Sequence, residues 1–162
     1  MNTAQFTTPP QERYLEDYVV GSVYQFGPVV ISEAEIVQFG RQFDPQVFHI
    51  DPQQAEQSVY GGLIASGWHT CALFMRLFVE HYLPDQASLG SPGVDQLRWL
   101  KPVRPGDRLS LRITVDNVKP SRSKPDRGVL FSFCEMLNQN NAVVASMLAM
   151  NLIRYGRGED RR

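Results

Sequence analysis

The chain has 162 residues, of which 43% are hydrophobic and 20% charged, values typical of one globular domain with its own core. Its 16 basic and 17 acidic side chains nearly cancel, which argues against a surface for nucleic acid or for an anionic membrane. The first residues lack the pattern of a signal peptide, and no apolar run is long enough to span a bilayer. We therefore expect one cytoplasmic domain over residues 1–162, with a loose lead-in at about 1–12 and a polar tail at about 156–162.

The first predicted elements are a strand and two capped helices. The segment 22–31 is β-branched and aromatic with a Gly-Pro pair in its middle, which is typical of an interrupted strand. Ser32 and Glu35 have the spacing of a capping box, and apolar residues follow at helical spacing. A second helix start is predicted where Asp51 precedes Pro52, because aspartate caps helices and proline suits the first helical position.

A third, longer helix is predicted to be buried. It begins near Ser66-Gly67 and ends before Pro84, since proline cannot continue a helix. Arg76 and Glu80 form its one charged stripe, and the remaining surface is almost entirely apolar. A helix that is apolar nearly all round is normally enclosed by the rest of the protein.

Beyond this helix the hydrophobic pattern changes to a period of two. Residues 109–115 alternate between apolar and polar, which indicates a strand with one wet face. Further strands are predicted at 94–103, 129–137 and 142–153, and the turn at 138–141 joins the last two. The order of a strand, a buried helix and four more strands favours an α+β domain in which an antiparallel sheet wraps around one long helix. An α+β sandwich of another topology is the alternative.

Two of the three histidines are expected to be structural. His81 lies near the C-terminal end of the long helix, where a surface imidazolium is favourable. His69 lies in the first turn, where a positive charge is unfavourable, so we expect a neutral ring that packs or donates a hydrogen bond. The sequence has no Cys/His cluster with zinc spacing and no phosphate-binding loop, and it therefore suggests neither a metal nor a nucleotide cofactor.

The third histidine has an acidic neighbour five residues earlier. Asp44 and His49 lie between the two capped helices, and Pro45 disfavours helical conformation at Asp44, which predicts an irregular loop. A carboxylate and an imidazole among large apolar residues could share one water and act as base and acid near neutral pH. The alternative is a structural role in which Asp44 caps a turn and His49 is partly buried. Composition alone favours that alternative.

A family resemblance supports the catalytic interpretation. The motif Asp44-x-x-x-x-His49 resembles the active-site signature of MaoC-like hydratases, which have the hotdog fold. The small-residue run Gly61–Gly67 resembles the entry to that family's central helix, and Arg98–Asp107 resembles its strand-turn-strand segment. The likeness extends over about residues 20–154, and it implies a single hotdog domain.

The resemblance also implies a reaction. It would be the addition of water to a 2-enoyl thioester, or the reverse dehydration of a 3-hydroxyacyl thioester with R stereochemistry, without a cofactor. Asp44 and His49 would bind and activate the water, and the amide of Gly67 would stabilise the enolate oxygen. The acyl group would be carried by coenzyme A or by acyl carrier protein. Four further side chains are expected to contact the substrate, namely Phe43, Phe48, Ser66 and Trp68.

The same resemblance implies a twofold dimer, or a higher oligomer built from such dimers, with the sites at the dimer interface. An unpaired sheet edge and an open acyl pocket are unfavourable in a lone protomer, and pairing of edge strands would cover both.

The residues around Asp44 and His49 depart from the family pattern. Phe43, Gln46 and Val47 stand where glycine, asparagine and proline are common. Ser66 replaces a histidine that many members have, and Met75 replaces a serine that some members have on the central helix.

Two alternative functions are kept. A hotdog thioesterase usually has a carboxylate on or beside the central helix, and residues 67–75 contain none. A non-catalytic acyl-thioester-binding protein, or a partner subunit that supports a catalytic one, would explain the altered surroundings but not the intact pair of Asp44 and His49.

Overall fold

The computed structural model describes residues 3–156, and within them five strands form one sheet in the order β1-β3-β4-β5-β2. The strands are β1 (Val23–Val30), β2 (Gly93–Trp99), β3 (Arg108–Pro120), β4 (Arg127–Leu137) and β5 (Val143–Arg154). Each pair of neighbouring strands is antiparallel. The predicted α+β architecture, an antiparallel sheet packed around a central helix, is confirmed.

Two strand boundaries differ from the prediction. β2 ends at Trp99 instead of Val103, because the next two residues donate to the same carbonyl of β5 and Pro102 has no N–H to continue the ladder. β3 continues to Pro120, five residues beyond the predicted end at Val115. The alternation in the sequence stops earlier than the strand because the register against β4 shifts just after Val115.

Two local features of the sheet lie where the sequence predicted them. β1 shifts its register against β3 around a cis peptide at Gly27-Pro28. In the hairpin turn, the side-chain oxygen of Asn138 accepts hydrogen bonds from the amides of Asn140 and Ala142, and Asn141 has a φ of 57°.

Three α-helices precede the central one, namely α1 (Glu33–Phe43), α2 (Val47–Ile50) and α3 (Pro52–Glu56), and two single-turn 3-10 helices over Pro10–Glu12 and Leu15–Asp17 come before β1. Both predicted caps are formed. The hydroxyl of Ser32 accepts from the amide of Glu35, whose carboxylate accepts from the amide of Ser32. The carboxylate of Asp51 accepts from the amide of Gln54 at the start of α3.

The central helix, α4 (Gly67–Leu77), continues as a π-helical turn over Phe78–Tyr82. One face packs into the core under the sheet through Phe74, Leu77 and Phe78. The opposite face was expected to be buried, but it is open at Trp68, Met75 and Val79, which are 58%, 46% and 45% exposed. The prediction of an enclosed helix is therefore wrong for the single chain, because its sheet covers only one side of the helix.

The predicted loose lead-in is packed against the core over its described part. The ring of Phe6 stacks on Tyr24 with 4.1 Å between centroids. The guanidinium of Arg13 lies over the Phe6 ring and donates to the carbonyls of His81 and Tyr82. These bonds satisfy carbonyls at the end of the central helix, and the segment therefore closes one end of the core.

The other chain end is described only to Gly156, whose amide donates to the carboxylate of Glu16. The remainder of the predicted polar tail, residues 157–162, lies outside the described residues. Between residues 3 and 156, no helix is both long enough and apolar enough to cross a membrane.

Candidate active site

Asp44 and His49 meet at the wall of a cavity. Nε2 of His49 lies 3.2 Å from Oδ2 of Asp44, and the two side chains are 6% and 19% exposed. A nearly buried imidazole beside a partly accessible carboxylate combines a defined geometry with access for a small reactant. General acid–base chemistry requires both.

The segment that carries the pair is more regular than predicted. Asp44 lies at the C-terminal cap of α1, but His49 lies on the one-turn helix α2 and not in an irregular loop. The turn closes because the amide of His49 donates to the carbonyl of Gln46, and the amide of Asp51 donates to that of Val47. Pro45 prevents α1 from continuing, as expected, and so separates the two helices.

Gly40 brings α1 and α2 into contact. A Cβ atom at this position would lie 2.9 Å from the carbonyl oxygen of His49, closer than real Cβ atoms approach, and 3.0 Å from the Cβ of His49. Only glycine therefore allows the backbone of His49 to lie against α1, next to Asp44. This role of Gly40 is not among the sequence predictions; its signal is a glycine inside an otherwise helical pattern.

The orientation of the His49 ring is set by Ile64. Nδ1 lies 2.7 Å from the Ile64 carbonyl oxygen, and a carbonyl only accepts, so Nδ1 carries a hydrogen. When the ring is in its neutral form, Nε2 presents a lone pair toward Asp44. Because the carboxylate oxygen is also an acceptor, one water can donate a hydrogen to each of them.

Two hydrogen-bond donors hold the carboxylate of Asp44. The hydroxyl of Ser66 donates to Oδ2 at 2.7 Å, and the side-chain Nε2 of Gln46 donates to Oδ1 at 2.8 Å. Burial acts to raise the pKa of Asp44, but the hydrogen bonds from Ser66 and Gln46 and the nearby His49 outweigh it, and the pKa is lowered. Asp44 is therefore a carboxylate at neutral pH.

The cavity beside the pair has a volume of about 420 Å³ and is mostly apolar. Its walls come from α2, the start of α4 and the segment after β2, and they include Phe48, Ile64, Ala65, Trp68, Trp99 and Val103. A mostly apolar cavity with a few polar groups at one place is typical of a small-molecule site. A larger and more open groove, of about 850 Å³ between α1 and the start of α3, contains neither Asp44 nor His49.

Gly67 contributes the first amide of α4 to the same cavity. Its N–H has no acceptor among residues 3–156, as expected in the first turn of a helix. The indole of Trp99 lies directly on this glycine, since a Cβ atom there would be 2.5 Å from Nε1 of the indole. The structure thus places a free helix amide and a large aromatic ring beside Asp44 and His49.

The predicted substrate-contacting residues have different positions. Phe48 and Trp68 line the cavity, whereas Ser66 is buried behind Asp44 and Phe43 is 64% exposed. Phe43 packs on Phe39 with 5.0 Å between centroids, and it does not line the cavity in the single chain. The cavity also includes residues that the sequence analysis did not single out, namely Tyr60, Thr70, Trp99 and Lys101.

The other two histidines lie where predicted. His69 is buried and stacks on Phe39 at 4.7 Å between centroids. Burial lowers its pKa although Glu35 acts in the opposite direction, so the ring is neutral at neutral pH. His81 is exposed and stacks on Phe26. Within the described part of the chain, no group of three or more acidic, histidine or cysteine side chains could hold a metal ion.

Similarity to known proteins extends over most of the chain. The MaoC like domain family matches residues 17–129, a range that includes Asp44, His49, Gly67 and Trp99. A MaoC-like dehydratase from Rhodospirillum rubrum, known from a crystal structure, has 40% sequence identity to this chain. The two structures match with a TM-score of 0.82 over 88% of this chain and 97% of that one.

More distant relatives are similar over comparable lengths. The Bacillus subtilis protein YdeM is 28% identical over 130 residues, which are 80% of this chain and 91% of that protein. An (R)-hydratase from A. caviae has a TM-score of 0.69 and is 21% identical, with 85% of this chain and 98% of the other covered. At that identity the likeness to the A. caviae enzyme establishes the shared fold.

Proposed function

The chain belongs to the MaoC-like domain family, and from that premise we propose that it hydrates 2-enoyl thioesters and dehydrates 3-hydroxyacyl thioesters. The proposal rests on one structural observation. Nε2 of His49 and Oδ2 of Asp44 lie 3.2 Å apart at the wall of an apolar cavity, with the free amide of Gly67 beside them. An acid–base pair and an oxyanion donor around one cavity are the groups that this reaction needs.

The first step is activation of water. A water that donates one hydrogen to Asp44 and one to His49 turns its oxygen lone pairs toward the cavity. As this oxygen bonds to C3 of the enoyl group, the pair takes one proton from it. The lone pair of Nε2 and the ionised carboxylate are both ready to accept, because Ile64 fixes the tautomer of His49 and Ser66 donates to Asp44.

The second step is stabilisation of charge and delivery of the proton. Bond formation at C3 moves electrons to the thioester carbonyl, and the amide of Gly67 with the positive end of α4 stabilises that oxygen. The proton held by Asp44 and His49 then passes to C2, so that H and OH have been added across the double bond. The C–S bond stays intact, and dehydration is the same path in reverse.

A specific assay tests this function. We expect that the protein will remove the enoyl absorbance of crotonyl-CoA, or of a longer 2-enoyl-CoA, without releasing free thiol. We further expect the 3R enantiomer as product, as in the hydratases that the sequence resembles. Acyl carrier protein thioesters, tested in parallel, identify the preferred carrier.

The other outcomes of that assay are equally defined. Free thiol would identify a thioesterase, a second candidate favoured by one observation: Asp44 lies beside the start of the central helix and is bonded to its cap, Ser66. Binding of the thioester without loss of absorbance or release of thiol would identify a non-catalytic binding protein. Either result would reject the hydratase.

A homodimer is the assembly that the exposed surfaces favour. The open face of α4 carries three partly exposed apolar side chains, and Trp68 on it contacts Trp99 on the edge strand β2 at 5.2 Å between centroids. β2 has a neighbour on one side only, and Val94 within the strand and Leu100 just after it are also exposed. A second copy that pairs along β2 would cover the strand edge and this apolar surface together.

We expect sedimentation at micromolar concentration to give twice the chain mass of 18.4 kDa. Met75→Glu, which places a charge on the open face of α4 away from the cavity wall, should shift the protein toward monomer. Val59→Glu is the matched control, because Val59 is 96% exposed and lies outside that face. A wild-type protein that sediments only as a monomer would exclude the dimer.

A further inference from the structure

Ser66 connects the start of the central helix to the carboxylate of Asp44. Its hydroxyl donates to Oδ2 of Asp44 at 2.7 Å and accepts from the amide of Trp68 at 3.2 Å. The residue is only 1% exposed and is absent from the cavity wall. One hydroxyl therefore serves two partners that are far apart in sequence, and it has no access to a substrate in the cavity.

The bonds to Asp44 define the plane of its carboxylate. Ser66 approaches Oδ2 from the helix start, and Gln46 approaches Oδ1 from the segment before α2, at 2.8 Å. With both oxygens held, rotation of the carboxylate would break two hydrogen bonds to a charged acceptor. Oδ2 consequently stays 3.2 Å from Nε2 of His49, so that both atoms face the same point of the cavity wall, where one water can contact both.

We propose that Ser66 is a positioning residue of the hydration reaction, whose hydroxyl holds the Asp44 carboxylate toward His49. This replaces the substrate-contacting role expected from the sequence, and it rests on the proposed function. Because Ser66 is also the N-cap of α4, the orientation of Asp44 is tied to the same helix end that presents the Gly67 amide. Ser66 thereby holds the Asp44 carboxylate at a fixed position relative to the Gly67 amide.

The ionisation of Asp44 provides a way to observe this bond. Burial acts to raise the pKa of Asp44, and the hydrogen bond from Ser66 is foremost among the influences that lower it. The titratable groups that face Asp44 are His49 on α2 and, around the cavity, Tyr60 before α4 and Lys101 after β2. A change at Ser66 leaves these groups in place, so its effect on Asp44 can be separated from theirs.

The test variant is Ser66→Ala. Loss of the donor raises the pKa of Asp44, and the acid limb of kcat/KM, which reports ionisation of the free enzyme, moves to higher pH. Above the limb we expect kcat to fall about tenfold, the scale of one charged hydrogen bond, because the carboxylate is no longer held toward His49. KM should change little, since Ser66 does not touch the cavity.

Ser32→Ala is the matched control. Ser32 caps α1 as Ser66 caps α4, but it is exposed and bonds Glu35 instead of Asp44. This variant should show a comparable fall in Tm with an unchanged acid limb and an unchanged kcat. Ser66→Thr, which keeps a hydroxyl, should restore the acid limb toward the wild-type position.

The ionisation of Asp44 can also be measured without turnover. On 13C-labelled protein, the NMR chemical shift of its carboxyl carbon is followed as a function of pH. A higher titration midpoint in Ser66→Ala, together with the kcat loss, supports the positioning role. An unchanged midpoint with a fall in Tm alone would reduce Ser66 to a helix cap, and a raised KM with an unchanged kcat would return it to substrate binding; both overturn the proposal. An inactive wild-type protein would instead reject the proposed function, while the titration would still report whether Ser66 acts on Asp44.

Discussion

Asp44→Asn and His49→Ala are each expected to lower the hydration of crotonyl-CoA by at least about 10²-fold, the lower part of the range for positioned acid–base groups. Asparagine keeps the shape of the side chain but removes the charge that polarises the water. Loss of His49 removes Nε2, which faces Oδ2 of Asp44 at 3.2 Å. Initial rates measured with purified variants at saturating thioester check this expectation.

The double variant distinguishes a shared water from two independent contributions. If Asp44 and His49 act on the same water, either single change disables the unit, and the double variant should be little slower than the single ones. Strictly multiplicative losses would show that the two residues act separately. Activity retained in either single variant would leave a binding protein as the better account.

His69→Ala provides the control for a general effect of losing a buried imidazole. His69 is buried and stacked on Phe39, and it does not line the cavity. Its removal should lower Tm through lost packing while turnover stays within a few-fold of wild type. A loss in His69→Ala as large as that in His49→Ala would mean that the assay reports stability and not catalysis.

Gly67→Pro is the second change with a large expected effect. Proline removes the N–H at position 67, and loss of one oxyanion donor usually costs about 10²-fold or more in turnover. The backbone accepts proline here, since it is the first position of α4 and Ser66 before it is extended, with φ −54° and ψ 140°. The proline ring would, however, collide with the indole of Trp99 as any side chain would.

Variants made in the Trp99→Ala protein distinguish two requirements at position 67, namely a backbone N–H and space for the indole. Gly67→Ala keeps the amide but places a methyl group where the indole lies, so on its own it should displace Trp99 and lower activity. In the Trp99→Ala background, Gly67→Ala should be as active as Trp99→Ala alone, whereas Gly67→Pro should remain at least about 10²-fold slower.

The comparison is made within one background, so any direct contribution of Trp99 cancels. Equal activity of the alanine and proline variants in Trp99→Ala would refute the amide as the oxyanion donor. Glycine would then be needed at position 67 only to make room for the indole. Melting temperatures of the Trp99→Ala protein and of its two Gly67 variants confirm that folded states are compared.

Part of the fold could be predicted from the sequence because it depends on interactions between residues that are close along the chain. The cap at Ser32 involves Glu35 three residues later, and the cap at Asp51 involves Gln54 at the same spacing. The alternation along β3 likewise reflects one buried and one accessible face of a single strand. Such features depend on partners within a few residues, so residue type and spacing suffice to predict them.

The burial of the central helix could not be decided in this way. The pattern of α4 indicates how apolar the helix is, but which face is covered depends on where the sheet lies. In the single chain one face remains open, as the exposure of Met75 and Val79 shows. The sequence does not indicate whether an apolar residue contacts the sheet, solvent or a second copy of the chain.

The candidate site shows the same division. The spacing of Asp44 and His49 and their family resemblance could be recognised along the chain, but their geometry depends on distant groups. The ring of His49 is oriented by a carbonyl 15 residues away, and the carboxylate of Asp44 is held by a hydroxyl 22 residues away. Trp99 reaches Gly67 only because β2 and α4 are brought together by folding. Hydrogen bonds and van der Waals contacts act over a few ångströms, so which residues make them is decided by the tertiary structure.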